Sequence, residues 1–175
     1  DEQFVQYVRG LPRLDVLVNN AGTNKLQSIA EVDETTLDLL LNLNVRASFK
    51  ITQAAAMRMM ELGLEGSIIH ITSQFGHVGA EKRSVYCMTK HALEGLTKAL
   101  AVELAPRRIR VNAVAPTIVR TSMTAPFLED PSYRAFAMAS IPLKRVASPE
   151  DIAEAVVFLA SPASQMVTGT SLRVD

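Results

Sequence analysis

The 175-residue sequence predicts an α/β fold with a parallel sheet. Short apolar runs of strand length alternate with longer stretches of helical periodicity, which is the pattern of helices covering a parallel sheet. Polar residues follow several of the apolar runs, at the edge where open α/β sheets bind ligands. The length suits one domain and is too short for two ordinary ones.

The first half of the chain predicts one helix, one strand, a long helix and a second strand. Apolar residues at helical spacing indicate a helix over residues 1–9. A short apolar run at 14–18 ends in Asn-Asn-Ala-Gly turn chemistry and predicts a buried strand. Asp33 is predicted to cap a helix that runs on to Met60. Residues 67–71, three of which are isoleucines, then predict the second strand.

The second half continues the alternation. Ser148 followed by Pro149 indicates a helix N-terminus. Residues 121–140 are rich in Met and Ala and contain two prolines, and this region is expected to be mobile and to contain short helices. The predicted elements are helices over 84–105 and 149–160, short helices within 121–140, and strands over 109–114 and 171–174.

Tyr86 and Lys90 form the first chemical signal. They are four residues apart on a predicted helix, so their side chains share one face. A nearby ammonium favours the phenolate and lowers the pKa of a phenol, which would allow proton exchange with an alcohol or carbonyl oxygen. Ser73, at the end of the second predicted strand, is able to orient the same oxygen. The structural alternative is an exposed helix pair and a serine that satisfies backbone groups.

Five motifs follow one another in a fixed order along the chain. They are Asn19-Asn20-Ala21-Gly22, Asn44 in Asn-Val-Arg-Ala-Ser-Phe, Ser73, Tyr86-x-x-x-Lys90 and the run from Arg110 to Pro116. In this order they resemble the classical short-chain dehydrogenase/reductase (SDR) family. The resemblance covers essentially the whole chain, including Val-Thr-Gly-Thr at 167–170.

The resemblance implies a Rossmann-like doubly wound parallel sheet, of which about four of seven strands are present. It implies an NAD(P)-dependent oxidoreductase that interconverts a carbonyl and a secondary alcohol by hydride transfer. Tyr86 would be the acid or base, and Lys90 would lower its pKa and bind the nicotinamide ribose. Ser73 would hold the substrate oxygen, and Asn44 would anchor a water in a proton relay. The alternative for Asn44 is a helix residue bonded to backbone.

The same resemblance implies a set of cofactor contacts, with either NAD or NADP as cofactor. These residues are Asn19, Ala21, Gly22, Tyr86, Lys90, Pro116, Val119 and Thr121. The chain has Thr117 where the family usually has glycine, a change able to alter the pocket near the nicotinamide. The histidines and Cys87 lack the spacing of a metal site, so no metal is expected. His77 is a weaker candidate for substrate contact.

One family feature is missing. The family places G-x-x-x-G-x-G after its first strand, where a helix N-terminus meets the pyrophosphate, and the eight glycines here contain no such run. We interpret residues 1–175 as a single Rossmann-type domain without its first three strands and its extreme C-terminus, expected to be inactive alone if truncated. The alternatives are a non-catalytic fragment or dinucleotide-responsive binding protein, and an epimerase or dehydratase of the related extended group.

Composition and resemblance together predict the partners and the location. Equal numbers of basic and acidic residues, 18 each, argue against a nucleic-acid or membrane partner. One cysteine suits a reducing compartment, and the acidic first residues predict no signal peptide, which favours the cytoplasm. The resemblance implies a small carbonyl or alcohol substrate and a homodimer or homotetramer. The substrate itself and the choice between NAD and NADP stay open.

Overall fold

The computed structural model describes residues 2–175 and contains a sheet of four parallel strands. They are β1 (Val16–Asn19), β2 (Gly66–Ile71), β3 (Ile109–Pro116) and β4 (Ser171–Val174). Their order in the sheet is their order in the chain, because a helical connection carries each strand to the next position. The predicted α/β class with a parallel sheet is confirmed.

One helix precedes β1, and the other helices occupy the connections between the strands. They are α1 (Glu2–Gly10), α2 (Glu34–Leu40), α3 (Ser48–Glu61), α4 (Ser84–Leu104), α5 (Ala125–Glu129), α6 (Pro131–Ser140) and α7 (Pro149–Ala160). The expected short helices before residue 140 are therefore present as α5 and α6. Among the described helices, none combines the length and the apolar character required to cross a bilayer.

Both faces of the sheet are covered, as parallel sheets require. Successive residues of β2 point to opposite faces, so Ile68 packs with Met59 of α3 and Leu104 of α4. Ile69, its neighbour, packs with Leu159 of α7 on the other face. This sandwich leaves the carboxyl edge of the strands as the place where loops and helix ends meet.

Two predicted helix starts are confirmed by their caps. The Asp33 carboxylate accepts a hydrogen bond from the Thr36 backbone N–H at 2.6 Å. Ser148 caps α7, where its hydroxyl accepts from the Asp151 N–H and the Asp151 carboxylate accepts from the Ser148 N–H. The two bonds satisfy backbone donors that a helix N-terminus otherwise leaves free.

The long helix predicted from Asp33 to Met60 is not one regular α-helix. A π-helical segment, Leu41–Ala47, separates α2 from α3. π-Helical turns are rare and often occur at functional sites. Here the segment contains Asn44, whose side chain is fully buried and reaches across to the loop after β1. Apolar periodicity alone does not distinguish such a turn from a continuous α-helix.

Candidate active site

Lys90 lies at the centre of the candidate site, buried within α4. Its Nζ donates a hydrogen bond to the carbonyl oxygen of Ile71, the last residue of β2, at 2.9 Å. The same Nζ lies 5.6 Å from the centroid of the Tyr86 ring. Burial lowers the pKa of Lys90 to about 8, and the carboxylate of Glu94 partly opposes this shift. The predicted proximity of the two side chains is therefore present.

The pKa of Tyr86 differs from the sequence-based expectation. Burial raises it above its ordinary value, while hydrogen bonding with Ser73 and the charge of Arg83 lower it in part. The net shift is upward, because desolvation of the phenol outweighs the favourable charges, and the predicted lowering by Lys90 stays a prediction. A phenol that keeps its proton is suited to act as an acid toward a carbonyl oxygen.

Ser73 follows β2 by two residues and lies in extended backbone. Its Oγ accepts a hydrogen bond from the Phe75 N–H at 3.2 Å and caps the short 3₁₀ turn Gln74–Gly76. The serine thus has the backbone-capping role of the structural alternative. It also faces Tyr86, so the two roles are compatible.

Asn44 braces the loop that follows β1. Its Oδ1 accepts from the Thr23 N–H and its Nδ2 donates to the Thr23 carbonyl oxygen, both at 2.9 Å. Nδ2 also donates to Thr89 Oγ1 on α4 at 3.1 Å. The side chain thus joins this loop to the helix that carries Tyr86 and Lys90. Its predicted role in a water relay stays a prediction.

Gly22 lies against these groups. A Cβ at this position would lie 3.4 Å from Asn44 Oδ1 and 3.6 Å from Lys90 Nζ, so a longer side chain would fill the space beside the ammonium. Within residues 2–175, Lys90 Nζ has one acceptor, which leaves donors available on a group that can make three hydrogen bonds. This open, cationic space fits the hydroxyl groups of a nucleotide ribose.

Asn19 and Ala21 flank the site differently. The Asn19 side chain points into the core, where its Nδ2 donates to Thr52 Oγ1 at 2.7 Å. Ala21 is exposed in the loop. Any cofactor contact from Asn19 in this arrangement would use its backbone rather than its side chain.

The loop after β3 is held by hydrogen bonds to β4, to the turn after β2 and within the loop itself. Beyond Pro116, the Thr117 N–H donates to the Val174 carbonyl oxygen at 3.1 Å, and its hydroxyl donates to Gln74 Oε1 at 3.3 Å. The Thr124 hydroxyl donates to the carbonyl oxygen of Val119, and Thr124 Oγ1 in turn accepts from the Thr121 N–H at 3.0 Å. The cofactor roles of Pro116, Val119 and Thr121 therefore stay predictions.

Glu94 is a buried carboxylate that the sequence analysis missed. Its Oε1 accepts from Thr72 Oγ1 at 2.5 Å and from Ser171 Oγ at 3.0 Å, while Oε2 has no partner in the described chain. His77 Nε2 lies 3.3 Å from Oε1. The signal was available, since Glu94 follows Lys90 by the same four-residue step that separates Lys90 from Tyr86. His77, the weaker substrate candidate, contacts this carboxylate.

We expect Glu94→Gln to lower the pKa of Lys90 further, because the buried carboxylate is the group that favours its charged form. The amide oxygen can still accept from Thr72 and Ser171, so the packing is retained. An NMR titration that follows the Lys90 Cε resonance should show deprotonation at lower pH. Glu103→Gln, an exposed change on the same helix, is the control. An unchanged Lys90 titration in Glu94→Gln would contradict this coupling.

Comparison with known proteins identifies the family of the chain. The family model described as enoyl-(acyl carrier protein) reductase matches residues 1–175. L-xylulose reductase of Mesocricetus auratus is 42% identical over 99% of this chain and 71% of its own length.

Two solved structures extend the comparison. A protein described as an NAD(P)-dependent gluconate 5-dehydrogenase from Beutenbergia cavernae, with NADP at low occupancy, superposes with a TM-score of 0.95 at 37% identity, covering 99% of this chain and 71% of that one. A 4-hydroxyisoleucine dehydrogenase complexed with NADH superposes with a TM-score of 0.90 at 28% sequence identity, and the match covers 92% of this chain and 66% of that one. Together with the ordered motifs, these matches establish that the chain belongs to the short-chain dehydrogenase/reductase family of NAD(P)-dependent oxidoreductases acting on carbonyl and alcohol groups.

Proposed function

We propose that Tyr86, Ser73 and Lys90 carry out the proton chemistry of an NAD(P)-dependent interconversion of a carbonyl and a secondary alcohol. The observation that carries this assignment is the buried Lys90 ammonium, tied to the end of β2 by Ile71 and placed beside the Tyr86 ring. Burying a cation is unfavourable, and ionisable groups with pKa values shifted by burial and by a nearby charge are typical of functional sites.

The mechanism follows from the positions of the side chains. In reduction, the protonated Tyr86 donates its phenolic proton to the carbonyl oxygen while the Ser73 hydroxyl holds that oxygen. Lys90 stabilises the tyrosinate that remains, since an adjacent ammonium favours the charged phenol. A bound nicotinamide cofactor supplies the hydride. In oxidation, Tyr86 accepts the proton from the alcohol.

The same proposal assigns the cofactor to the carboxyl edge of the sheet, where open α/β sheets bind ligands. Lys90 binds ribose hydroxyls with its available donors, and Gly22 leaves the space for them. Asn44 positions the Gly22 loop through Thr23. Asn19, Ala21, Pro116, Val119 and Thr121 line the rest of the cofactor path in this proposal. Lying next to Ser73, the Gln74–Thr117 pair favours a small substrate with several hydroxyl groups.

A spectrophotometric assay tests the function directly. The purified protein is incubated with NADPH or NADH and a panel of small ketoses and keto acids, and the loss of nicotinamide absorbance is followed. We expect turnover with at least one cofactor and one carbonyl compound. Binding of NADPH or NADH, seen by fluorescence, without any turnover would favour the alternative of a dinucleotide-responsive binding protein.

We also propose that the protein is a cytoplasmic homodimer or homotetramer. Its single cysteine is free, which suits a reducing compartment. The helices α2, α3 and α4 leave several large apolar side chains exposed: Leu39, Phe49, Met57, Met60, Met88 and Val102. Apolar side chains gathered on neighbouring helices are typical of a subunit interface.

We expect Phe49→Glu to weaken the oligomer, because a carboxylate would replace an apolar contact in the interface. Sedimentation velocity should show a lighter species than that of the unchanged protein. Phe136→Glu, on α6 and also exposed, is the control and should leave the mass unchanged. If the unchanged protein sediments as a monomer, the proposed oligomer is wrong.

A further inference from the structure

Arg83 lies immediately before α4 and three residues before Tyr86. Its guanidinium carbon is 5.2 Å from the centroid of the Phe75 ring, a stacked arrangement that favours arginine. The Phe75 ring in turn meets the Tyr86 ring edge-on, with centroids 6.4 Å apart. The Phe75 ring therefore holds the Arg83 guanidinium next to Tyr86. Phe75 also follows Ser73 by two residues in the sequence.

Arg83 has no acidic partner in the described part of the chain. Its Nε is buried and makes no hydrogen bond within residues 2–175. Four of the other eleven arginines pair with carboxylates at short distances: Arg13 with Asp15, Arg58 with Glu61, Arg108 with Glu65 and Arg145 with Asp151. A buried donor without a partner is unfavourable, and a ligand that accepts its hydrogen bonds removes that cost.

The guanidinium also lies within electrostatic reach of the reacting phenol, since its charge acts on the Tyr86 hydroxyl. A planar guanidinium binds carboxylate or phosphate oxygens through two parallel hydrogen bonds, which a point charge cannot do. Next to Ser73, Gln74 and Thr117 add polar groups to the same region. The surroundings of Tyr86 thus offer hydrogen bonds for hydroxyl groups and one fixed cation.

We propose that Arg83 binds an oxyanion group, a carboxylate or a phosphate, on the substrate whose carbonyl or hydroxyl oxygen meets Tyr86. This inference rests on the proposed function and narrows it to anionic substrates. The arginine then acts on affinity and orientation, and the proton steps remain with Tyr86 and Ser73. A neutral ketose would leave the guanidinium without its partner.

Initial rates with three matched carbonyl compounds test the proposal: a polyhydroxy keto acid, a phosphorylated ketose and a neutral ketose of the same chain length. We expect Arg83→Gln to lower kcat/KM for the preferred anionic compound by about 10- to 100-fold, as loss of a charged hydrogen-bonded contact does. The loss for the neutral ketose should be clearly smaller, because that compound loses only the effect of the guanidinium charge on Tyr86. Arg83→Lys should give an intermediate loss of kcat/KM, because lysine keeps the positive charge but lacks the planar guanidinium that makes two parallel hydrogen bonds. Lys82→Gln removes the same charge one residue away on an exposed side chain and is the matched control.

A second measurement uses the unchanged enzyme and does not depend on how the variants fold. Gluconate should inhibit reduction of the neutral ketose competitively, and added salt should weaken the inhibition. An equal loss of kcat/KM for all three compounds in Arg83→Gln would overturn the inference. So would an unchanged enzyme that prefers the neutral ketose and is not inhibited by gluconate. Either result would overturn only the role of Arg83 and would leave the proposed oxidoreductase function unaffected. A protein with no turnover of any carbonyl compound would instead refute the proposed function.

Discussion

Tyr86→Phe is expected to lower kcat by about 100- to 10,000-fold, the range that a positioned general acid contributes. The substitution removes only the hydroxyl that donates the proton. The phenylalanine ring keeps the edge-on contact with Phe75, and the site remains as well packed as before. Cofactor affinity should change little, because Lys90 keeps its bond to Ile71. Steady-state rates with NADPH or NADH, together with a cofactor titration, separate these two effects.

The structure offers a matched control for this change. Tyr133 on α6 is a second tyrosine that also contacts phenylalanine rings, so Tyr133→Phe removes a hydroxyl without touching the proposed site. We expect it to retain full activity. A Tyr86→Phe enzyme with more than about half of the original kcat would show that the proton comes from another group.

His70 is expected to make the folded state lose stability as the pH falls. It is fully buried in β2, and burial, helped by the charge of Lys90, lowers its pKa to about 4 from an ordinary value of 6.5. In the unfolded chain His70 therefore binds a proton below pH 6.5, whereas in the folded chain it becomes protonated only near pH 4. The contribution of neutral His70 to the free energy of unfolding is complete above pH 6.5 and declines as the pH falls from 6.5 to about 4.

The hydrogen bonds around His70 explain why its neutral form is required. The Thr97 hydroxyl donates to the Leu93 carbonyl at 2.8 Å, so its oxygen accepts from His70 Nδ1–H at 2.9 Å. His70 Nε2 then accepts from the Thr52 hydroxyl at 3.1 Å, whose oxygen accepts from Asn19. The four side chains form one directed chain from β1 to α4. A second proton on the ring would reverse the bond to Thr52 and bury a charge.

Urea unfolding at about pH 7.5 and about pH 5 measures this effect, and the histidine should account for a loss of about 2 kcal/mol between them. His70→Gln should be less stable at neutral pH, because it disrupts the hydrogen-bonded chain, yet its stability should depend less on pH. His91→Gln removes an exposed histidine of α4 and should keep the original pH dependence. If His70→Gln and the unchanged protein lose the same free energy on acidification, His70 is not the responsible group.

The sequence predicts the elements well where a local signal exists. Asp33 and Ser148 mark helix starts through side chains that bond to nearby backbone, and both caps are present. The four strands fall where apolar runs meet turn residues, although β3 extends two residues further, to Pro116, than predicted. Capping and turn chemistry depend on neighbours in the sequence, and for this reason they can be inferred without a structure.

The residues around the site also fall into two groups, those that the sequence identifies and those that only the folded structure identifies. Tyr86, Lys90 and Ser73 are identifiable from spacing and resemblance, whereas Glu94 and Arg83 stand out only through what they contact or lack. A glutamate on a helix is usually exposed, and only packing against Thr72 and Ser171 reveals that this one is buried.

The parallel α/β class, the family resemblance and the shared face of Tyr86 and Lys90 can all be predicted without a structure. They depend only on periodicity and on the order of residues along the chain. The raised pKa of Tyr86, the lowered pKa of His70 and the π-helical turn at Asn44 arise only in the folded chain. Each of these is set by desolvation or by hydrogen bonds between segments far apart in sequence. A pKa is the balance of burial against nearby charges, and that balance exists only once the chain has folded.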